Sequence, residues 1–324
     1  MPNLSDTEQQ WYATGPDDPA YLSEADYLTA RKSLYDYEWR AILHNKWIFA
    51  NFYGRLGLTI PRHFGFVHPV SGRSLEGDPL REARDVAAYM DRCGMEGVAL
   101  KHVTGGQGHH VYLLERRTGD GFLGVDGSFY GFADLDSSLR VELGGGSGMV
   151  LQELLSTHPD VTKLCDGDPN KVRLITLLRR DGDPIVQMAA ARLGRRGAMT
   201  DNLQFEPVAA AVDLATGTLQ EGRLGHATPR SETITTHPDT GVTFTGVGLP
   251  DWEETVELAL AAARWSPNLC SVAWDIRLTQ DGPVVIEGNL GWSARPLQVS
   301  HGGFLRPGGP AQVWREEWGV PLPG

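Results

Sequence analysis

The sequence predicts an α+β fold with two groups of mostly antiparallel strands, on three observations. Strand-like runs rich in Val, Ile and Leu are short, and the 324 residues include 39 glycines and 20 prolines. Helical periodicity is strongest in three segments, at residues 24–57, 79–93 and 250–265. A glycine-rich stretch at residues 144–148 divides the strands into two groups. Helices and strands grouped in this way are typical of α+β proteins.

The predicted elements of the first half begin with the helix at residues 24–57. Its apolar residues recur at helical spacing, Ser23 is the expected N-cap, and Gly57 and Pro61 follow its end. The helix at residues 79–93 carries a similar apolar stripe. Short apolar runs separated by glycine predict strands at residues 58–67, 97–103, 110–115 and 122–132.

The second half contains longer predicted strands. The helix at residues 250–265 precedes a hairpin, and the tail from Gly291 is rich in Gly and Pro, which predicts an irregular structure. We therefore predict an N-terminal helical segment at 1–45, a first lobe at 46–148 and a second lobe at 149–324. The strands of the second lobe are predicted at residues 150–155, 172–179, 184–193, 271–279 and 283–289.

Composition and charge exclude several classes of protein. The 29 Lys and Arg residues against 41 Asp and Glu give a formal charge of −12, which argues against a general nucleic-acid binder. No run of about 18 apolar residues exists, so no membrane helix is predicted, and residues 1–10 do not resemble a secretion signal. Three widely spaced cysteines form neither a zinc motif nor a disulfide framework. We expect a cytoplasmic enzyme or binding protein.

The hairpin at residues 271–289 carries the strongest chemical signal. Apolar and polar residues alternate along its strands, as expected for strands with one buried face. A three-residue loop at 280–282 places Gly282 in the left-handed conformation that such loops require. This loop pairs Ile276 with Ile286, so that the apolar faces of the two strands agree.

The same register places two carboxylates opposite each other. Asp275 lies across from Glu287, and Asn289 is two residues further along the same face. Carboxylate and amide oxygens that converge on one face suit Mg²⁺ or Mn²⁺ accompanied by a phosphate. From spacing alone, a solvated polar face on which Arg277 pairs with one carboxylate is an equally good interpretation.

A second signal lies where the predicted strand at residues 97–103 ends. Lys101 follows an apolar run, and a glycine-rich turn exposes backbone N–H groups that can hold phosphate oxygens. The spacing matches neither the P-loop nor the Rossmann fingerprint, and alone it is better explained as a simple hairpin turn. The turn contains Gly105, Gly106, Gln107 and Gly108.

Taken together, the order of these features resembles the ATP-grasp superfamily, and most of all its sugar-transfer-associated branch, which is related to α-L-glutamate ligases. The resemblance extends from about Asn45 to Asn289. It implies the ATP-grasp fold, in which two α+β lobes with mostly antiparallel sheets clamp a nucleotide. It also implies ATP and Mg²⁺ (or Mn²⁺) as cofactors, and a small-molecule carboxylate and an amine as substrates.

The resemblance assigns nucleotide binding to two lysines, the glycine-rich loop and a hinge strand. In its pattern, Lys46 is the early nucleotide lysine and Lys101 the second lysine. The segment 150–155 matches the strand that contacts adenine, and Asp160 falls where a ribose-binding acid is found. The implied set is Lys46, Lys101, Gly105, Gly106, Gln107, Gly108, Gln152, Glu153, Leu154 and Asp160.

The resemblance also assigns the phosphoryl and metal sites. Arg173 matches a strand arginine that contacts phosphate, and Arg192 resembles a second residue of this kind. Trp274-Asp275-Ile276 and Glu287-Gly288-Asn289 match the metal-binding strands, which makes Asp275, Glu287 and Asn289 the implied metal ligands.

Two features depart from the family pattern. The resemblance implies that Asn202 binds substrate, but residues 203–207 follow it where a Gly-Gly pair is usual in the family. Arg195 and Arg196, which precede it, are interpreted as solvated charges. Too few residues precede Lys46 for the N-terminal domain that many members carry. Substrate recognition is therefore expected from other loops, the C-terminal tail or a partner protein.

The implied activity is that of a carboxylate–amine ligase that works through an acylphosphate. Arg295, just after the metal strands, has the fork geometry to bind a substrate carboxylate, with packing of the tail as the equal alternative. A phosphotransferase with the same nucleotide site and a non-catalytic nucleotide-binding module are the alternative functions. The residues leave open the two substrates and whether the protein is a homo-oligomer or has a biosynthetic partner protein.

Overall fold

The chain forms two compact units. The computed structural model describes residues 4–12, 18–104, 111–143, 148–165, 170–196, 208–225 and 231–323. The large unit comprises Met1–Ala41 and Thr157–Gly324, and the small unit comprises Ile42–Ser156. Each contains one seven-stranded sheet, and every pair of neighbouring strands in the described residues is antiparallel. The predicted α+β class is confirmed.

The N-terminal helical pattern folds as several short helices instead of the one predicted helix at residues 24–57. Ser23 begins one of them as predicted, because its Oγ accepts a hydrogen bond from the N–H of Asp26 at 3.1 Å. The helical elements up to residue 55 are α1 (Asp6–Tyr12), α2 (Glu24–Arg31), two 3₁₀ turns (Lys32–Leu34 and Tyr37–Arg40), α3 (Ala41–His44) and α4 (Lys46–Arg55).

The interruption after α2 follows from tertiary backbone pairing. Tyr35 has an extended backbone and forms an antiparallel bridge with Leu269. The N–H of Asp36 donates to the carbonyl of Asn268 at 2.8 Å. These bonds satisfy backbone groups that a continuous helix would have paired internally, so the helical periodicity of the sequence is overridden at this point.

The small unit packs two helices against its sheet. Val86 and Met90 of one helix share a core with the sheet residues Leu100 and Leu151. These helices are α5 (Ala83–Cys93) and α6 (Phe132–Leu143), and α4 also belongs to this unit. The strands are β1 (His63–Val67), β2 (Arg73–Ser74), β3 (Val98–His102), β4 (Val111–Thr118), β5 (Gly121–Gly124), β6 (Phe129–Gly131) and β7 (Met149–Glu153), in the order β2-β1-β7-β3-β4-β5-β6.

Strand β7 lies inside the sheet of the small unit. Its residue Gln152 pairs with His63 on β1 and with Ala99 on β3. A strand with neighbours on both sides belongs to that sheet, so the division between the units lies near residue 156. This division differs from the boundary between residues 148 and 149 that the glycine-rich stretch predicts. Residues 144–147 of that stretch lie outside the described part of the chain.

Apart from β7, the large unit contains the predicted strands and helix of the second half, together with three strands that were not predicted. One of the three, Val208–Val212, is rich in alanine, which has a low β propensity. The strands are β8 (Lys171–Leu178), β9 (Pro184–Leu193), β10 (Val208–Val212), β11 (Leu219–Leu224), β12 (Glu232–Ile234), β13 (Ser271–Thr279) and β14 (Gly282–Asn289), in the order β12-β11-β10-β9-β8-β13-β14. Besides α1 and α2, the helices of this unit are α7 (Pro159–Leu164), α8 (Trp252–Arg264), α9 (Ala294–His301) and α10 (Pro310–Trp318). Within the described residues, no helix is both long enough and apolar enough to span a membrane.

The tail from Gly291 contains two helices, which corrects the prediction of an irregular structure. Helices α9 and α10 contribute Leu297 and Trp314 to a core that also contains Tyr27 of α2. Two of the Pro and Gly residues that suggested irregularity lie at the ends of α10. Pro310 occupies the first turn of α10, and Gly319 ends that helix in the left-handed conformation.

A buried hydrogen bond connects the N-terminal segment to this tail. The hydroxyl of Tyr27 donates to the carbonyl of Trp292 at 2.5 Å. Tyr27→Phe is expected to lower the free energy of unfolding by about 1–3 kcal/mol, because the carbonyl loses this partner. Urea unfolding measures the loss. Tyr37→Phe is the control, since that ring is 61% exposed, and equal losses in the two variants would contradict the prediction.

Candidate functional site

The β13–β14 hairpin brings the two predicted carboxylates into register. Asp275 pairs with Glu287, and Ala273 pairs with Asn289. Directly opposed residues in antiparallel strands lie on the same face, with Cβ atoms about 4.5–5.5 Å apart. The predicted alignment of Asp275, Glu287 and Asn289 on one face is therefore confirmed.

The loop that produces this register differs from the prediction. Thr279 pairs with Gly282 across a two-residue loop, where a three-residue loop was predicted. Ile276 consequently pairs with Val285 and not with Ile286. The register then shifts by one residue at a β-bulge next to Ile276, and this shift restores the pairing of the two carboxylates.

Asp275 is fully buried and binds two cationic side chains. Arg173, its partner on β8, donates from Nε to Oδ1 at 2.6 Å and from Nη2 to Oδ2 at 2.8 Å. The Nζ of Lys171 lies 2.8 Å from the same Oδ2. The arginine contact is the bidentate arrangement that planar guanidinium and carboxylate groups favour. Both oxygens of this buried carboxylate are thus engaged.

The charge state of Asp275 follows from two opposing effects. Burial alone would raise the pKa of Asp275, because it disfavours the charged form. The charges of Arg173 and Lys171, together with the hydrogen bonds of Arg173 and the charge of Arg192, outweigh burial and hold this pKa well below its usual range. Asp275 is therefore ionised at neutral pH.

Arg192 lies on the same sheet face as this cluster. It pairs with Lys171 across β9 and β8, and Lys171 is two residues before Arg173 on its strand. Cations and metal-type oxygen ligands therefore share one face, as expected of a site that binds a polyphosphate with its metal. We name this set the charged face: Lys171, Arg173, Arg192, Asp275, Glu287 and Asn289.

The donor set of the charged face fits a hard divalent cation. Two carboxylates and an amide oxygen are ligands that Mg²⁺ accepts. The Nδ2 of Asn289 is buried without a hydrogen-bond partner. Lys171 shows that Asp275 already attracts a second cation besides Arg173. No cluster of three or more His, Cys, Asp or Glu that could hold a metal occurs in the described part of the chain, so metal binding here stays a prediction.

Both predicted nucleotide lysines lie at one end of β3 in the small unit. Asn45 caps α4, since its Oδ1 accepts hydrogen bonds from the N–H groups of Trp47 and Ile48 at 3.0 and 3.1 Å. Lys46 in the first turn of α4 donates its N–H to the carbonyl of Val103 at 2.7 Å, two residues beyond Lys101. The predicted phosphate loop that follows lies outside the described residues: Gly105, Gly106, Gln107 and Gly108.

The predicted adenine and ribose residues lie at the end of β7 and in α7. The Oε1 of Glu153 accepts a hydrogen bond from the N–H of Arg62 at 2.7 Å, so this carboxylate has a local structural partner. Asp160 is exposed in the first turn of α7 and pairs with Lys163 at 2.7 Å. The roles of Gln152, Glu153, Leu154 and Asp160 in nucleotide binding stay predictions.

Arg195 is not a solvated charge, which corrects its interpretation from the sequence. Its Nε and Nη2 bind the two carboxylate oxygens of Asp239 at 2.8 and 3.1 Å, and both side chains are largely buried. The N–H of Arg196 donates to the same carboxylate at 2.9 Å. Asp239 therefore holds the chain at the start of the segment that contains Asn202. Asn202 itself lies outside the described residues.

The ion pair at Asp239 is expected to make stability depend on pH. The hydrogen bond from Arg195 lowers the pKa of Asp239, against the opposing effect of burial. A lowered pKa stabilises the fold above the unfolded value of about 3.9, and the contribution is lost as the pH falls through the folded value. Asp239→Asn is expected to cost about 1–2 kcal/mol at neutral pH and little in acid. Urea unfolding from neutral pH to about pH 3 tests this. Asp281→Asn in the hairpin loop is the control, and a loss that does not change with pH would contradict the prediction.

Arg295, the predicted substrate residue, contacts the N-terminal segment of the large unit. Its Nε lies 3.2 Å from the Oε2 of Glu24, and its guanidinium lies 4.7 Å from the centre of the Trp11 ring. The carboxylate beside Arg295 in this structure is therefore that of Glu24, and binding of a substrate by Arg295 stays a prediction. Sequence reasoning missed Lys171 as a site residue. Its position two residues before Arg173, directly before the strand predicted at residues 172–179, was the available signal.

Comparison with known protein families identifies the family to which this chain and its charged face belong. The profile described as sugar-transfer associated ATP-grasp matches residues 27–309. The chain belongs to this family. No curated protein sequence matches the chain.

Two solved structures illustrate the similarity of this ATP-grasp protein to others. The biotin carboxylase from Campylobacter jejuni shares 13% identity over 90% of this chain and 50% of its own, with a TM-score of 0.52. The D-alanine–D-alanine ligase from Coxiella burnetii shares 9% identity over 88% of this chain and 58% of its own, with a TM-score of 0.46. The first likeness concerns the fold alone, and it agrees with the predicted ATP-grasp fold. The chain spans half the length of that carboxylase chain.

Proposed function

We propose that this chain is an ATP-dependent carboxylate–amine ligase that forms an amide through an acylphosphate and releases ADP and phosphate. The observation that supports this proposal is the charged face, on which three cations and three metal-type ligands lie together on one sheet of an ATP-grasp protein. Phosphoryl transfer depends mainly on such positioning and charge stabilisation. The substrates are a small-molecule carboxylate and an amine.

Different residues bind ATP and activate it for phosphoryl transfer. Lys46 and Lys101 bind the phosphates of ATP, and Glu287 and Asn289 hold Mg²⁺ together with Asp275. A bound Mg²⁺ would supply positive charge beside the phosphates, and this charge would lower the repulsion between ATP and an incoming carboxylate. Asp275 also orients Arg173 through two hydrogen bonds, so the guanidinium is fixed before the reaction begins.

The reaction proceeds in two steps. A carboxylate oxygen of the substrate attacks the γ-phosphorus, the bond from phosphorus to the β–γ bridging oxygen breaks, and ADP leaves. Arg173 and Arg192 stabilise the charge on the transferring phosphoryl group. The amine then attacks the acyl carbon and loses a proton, and phosphate leaves with one oxygen from the original carboxylate.

The experiment that tests this proposal follows the carboxylate oxygen that leaves with phosphate. ADP release is measured with panels of carboxylates and amines, and the active carboxylate is then supplied with ¹⁸O. Ligation requires both substrates for sustained ADP release over many turnovers and transfers one labelled oxygen into phosphate. Hydroxylamine in place of the amine yields a hydroxamate. ADP release without any carboxylate would contradict the proposal. A stable phosphorylated product in the absence of amine would instead indicate a phosphotransferase.

A further inference from the structure

Both backbone polar groups of Gly194, a buried residue just beyond the end of β9, contact buried side chains. The N–H of Gly194 donates to the Oδ1 of Asn170 at 2.9 Å. The carbonyl oxygen of Gly194 lies 3.0 Å from the Nε2 of His237. Asn170 is 4% exposed and His237 is fully buried, and we name these two side chains the Gly194 clamp. Most backbone groups pair with other backbone groups, so two side chains on one glycine are a specific arrangement.

The two side chains of the Gly194 clamp are themselves held by hydrogen bonds. The N–H of Asp239 donates to the Nδ1 of His237 at 3.3 Å, which assigns the ring proton to Nε2 and makes His237 the donor to Gly194. The Sγ of Cys165, at the end of α7, donates to the Oδ1 of Asn170 at 2.9 Å. A satisfied buried polar network of this kind fixes a single geometry of the segments that it joins. The clamp therefore holds Gly194 in one position.

The Gly194 clamp lies beside two cations of the charged face. Lys171 pairs with Arg192 across β8 and β9. Asn170 directly precedes the first of these residues and Gly194 follows the second by two positions, so their hydrogen bond closes the ladder just beyond the pair. The ends of paired strands open more easily than their middles. Closure by the clamp keeps the backbone of Arg192 fixed at this end of the ladder.

We propose that Asn170 and His237 are positioning residues, which hold Arg192 in place for phosphoryl transfer through their bonds to Gly194. The inference rests on the proposed function, since it takes Arg192 as a residue that stabilises the transferring phosphoryl group. A displacement of about 1 Å in a catalytic site costs about 100-fold in rate. Bound ADP lacks the transferring phosphoryl group and therefore depends far less on where Arg192 lies. Loss of the clamp thus affects the transition state much more than it affects ADP binding.

The test compares ADP alone with ADP plus aluminium fluoride, both in the presence of Mg²⁺, because aluminium fluoride mimics the transferring phosphoryl group. Isothermal titration calorimetry gives the two dissociation constants. Asn170→Ala and His237→Leu are each expected to weaken the aluminium fluoride complex about tenfold or more and to change ADP binding by less than about twofold. Equal weakening of both complexes, or an unchanged aluminium fluoride complex, would overturn the proposal.

His237→Gln separates the hydrogen bond to Gly194 from the packing of the ring. The side-chain amide of Gln supplies an N–H in place of the Nε2–H of His237, so this variant is expected to keep the aluminium fluoride complex within about threefold of the wild type. If His237→Gln binds aluminium fluoride no better than His237→Leu, the bond to the Gly194 carbonyl is not what positions Arg192, and the proposal is wrong.

Tyr27→Phe controls for a loss of stability alone, because it also removes a buried hydrogen bond of the large unit. Both of its dissociation constants are expected to stay within about twofold of the wild type, and a weakening equal to that in Asn170→Ala would overturn the proposal. Thermal unfolding establishes that Asn170→Ala is folded, and Asn170→Ser replaces it if it is not. ADP release is assayed separately. Selective weakening of the aluminium fluoride complex in a protein without ligase activity would support the positioning role and contradict the proposed function.

Discussion

Asp275→Asn is expected to lower the free energy of unfolding by about 3 kcal/mol and to abolish ATP-dependent ADP release. The substitution preserves the shape of the side chain but leaves Arg173 and Lys171 without their buried counter-charge. This value lies at the low end for a broken buried ion pair, because the two cations remain 21% and 15% exposed. Urea unfolding and the coupled ADP assay measure the two effects.

The loss of stability in Asp275→Asn is expected to depend on pH and on the charged partners of residue 275. The pKa of Asp275 is lowered in the folded state, so its contribution to stability is present above the unfolded pKa of about 3.9. This contribution is lost as the pH falls further. The gap between wild type and variant should therefore narrow in acid. A triple variant with Lys171→Met, Arg173→Met and Asp275→Leu removes all three charges together and should lose less stability than the single variant. A larger loss in the triple variant would contradict this account.

Glu287→Gln is expected to reduce ADP release by at least about 100-fold while the fold stays intact. Gln keeps the size and hydrogen-bonding capacity of Glu but removes the charge that attracts a divalent cation. Steady-state ADP release and thermal unfolding are compared with those of Glu221→Gln, an exposed glutamate on β11. Unchanged turnover in Glu287→Gln would favour the non-catalytic nucleotide-binding module.

The β13–β14 hairpin shows how much of the candidate site could be predicted from the sequence. Alternation of apolar and polar residues selected the register in which Asp275 faces Glu287, and the structure has this pairing. The loop length was wrong in detail, since the two-residue loop is compensated by a β-bulge. Bulges arise from the fit of a strand to its neighbours, and the hairpin sequence alone does not indicate them.

The partners of charged residues were harder to predict. Arg195 was interpreted as solvated because its partner, Asp239, lies 44 residues away in sequence. Arg295 likewise lies beside Glu24 of the N-terminal segment. Charges of this kind are paired by tertiary structure, and no local spacing indicates the partner.

The sequence by itself determined the α+β class, the positions of most strands, the family resemblance and the alignment of the two carboxylates. These depend on periodicity and on local order of residues, which are properties of short segments. Only the tertiary structure decided that the N-terminal pattern breaks at Tyr35, that β7 lies inside the small unit, and that the tail contains two helices. Only the tertiary structure brought Lys171 to Asp275. In each case the deciding hydrogen bond, ion pair or apolar contact joins residues that are distant in sequence, and its free energy exceeds local preference.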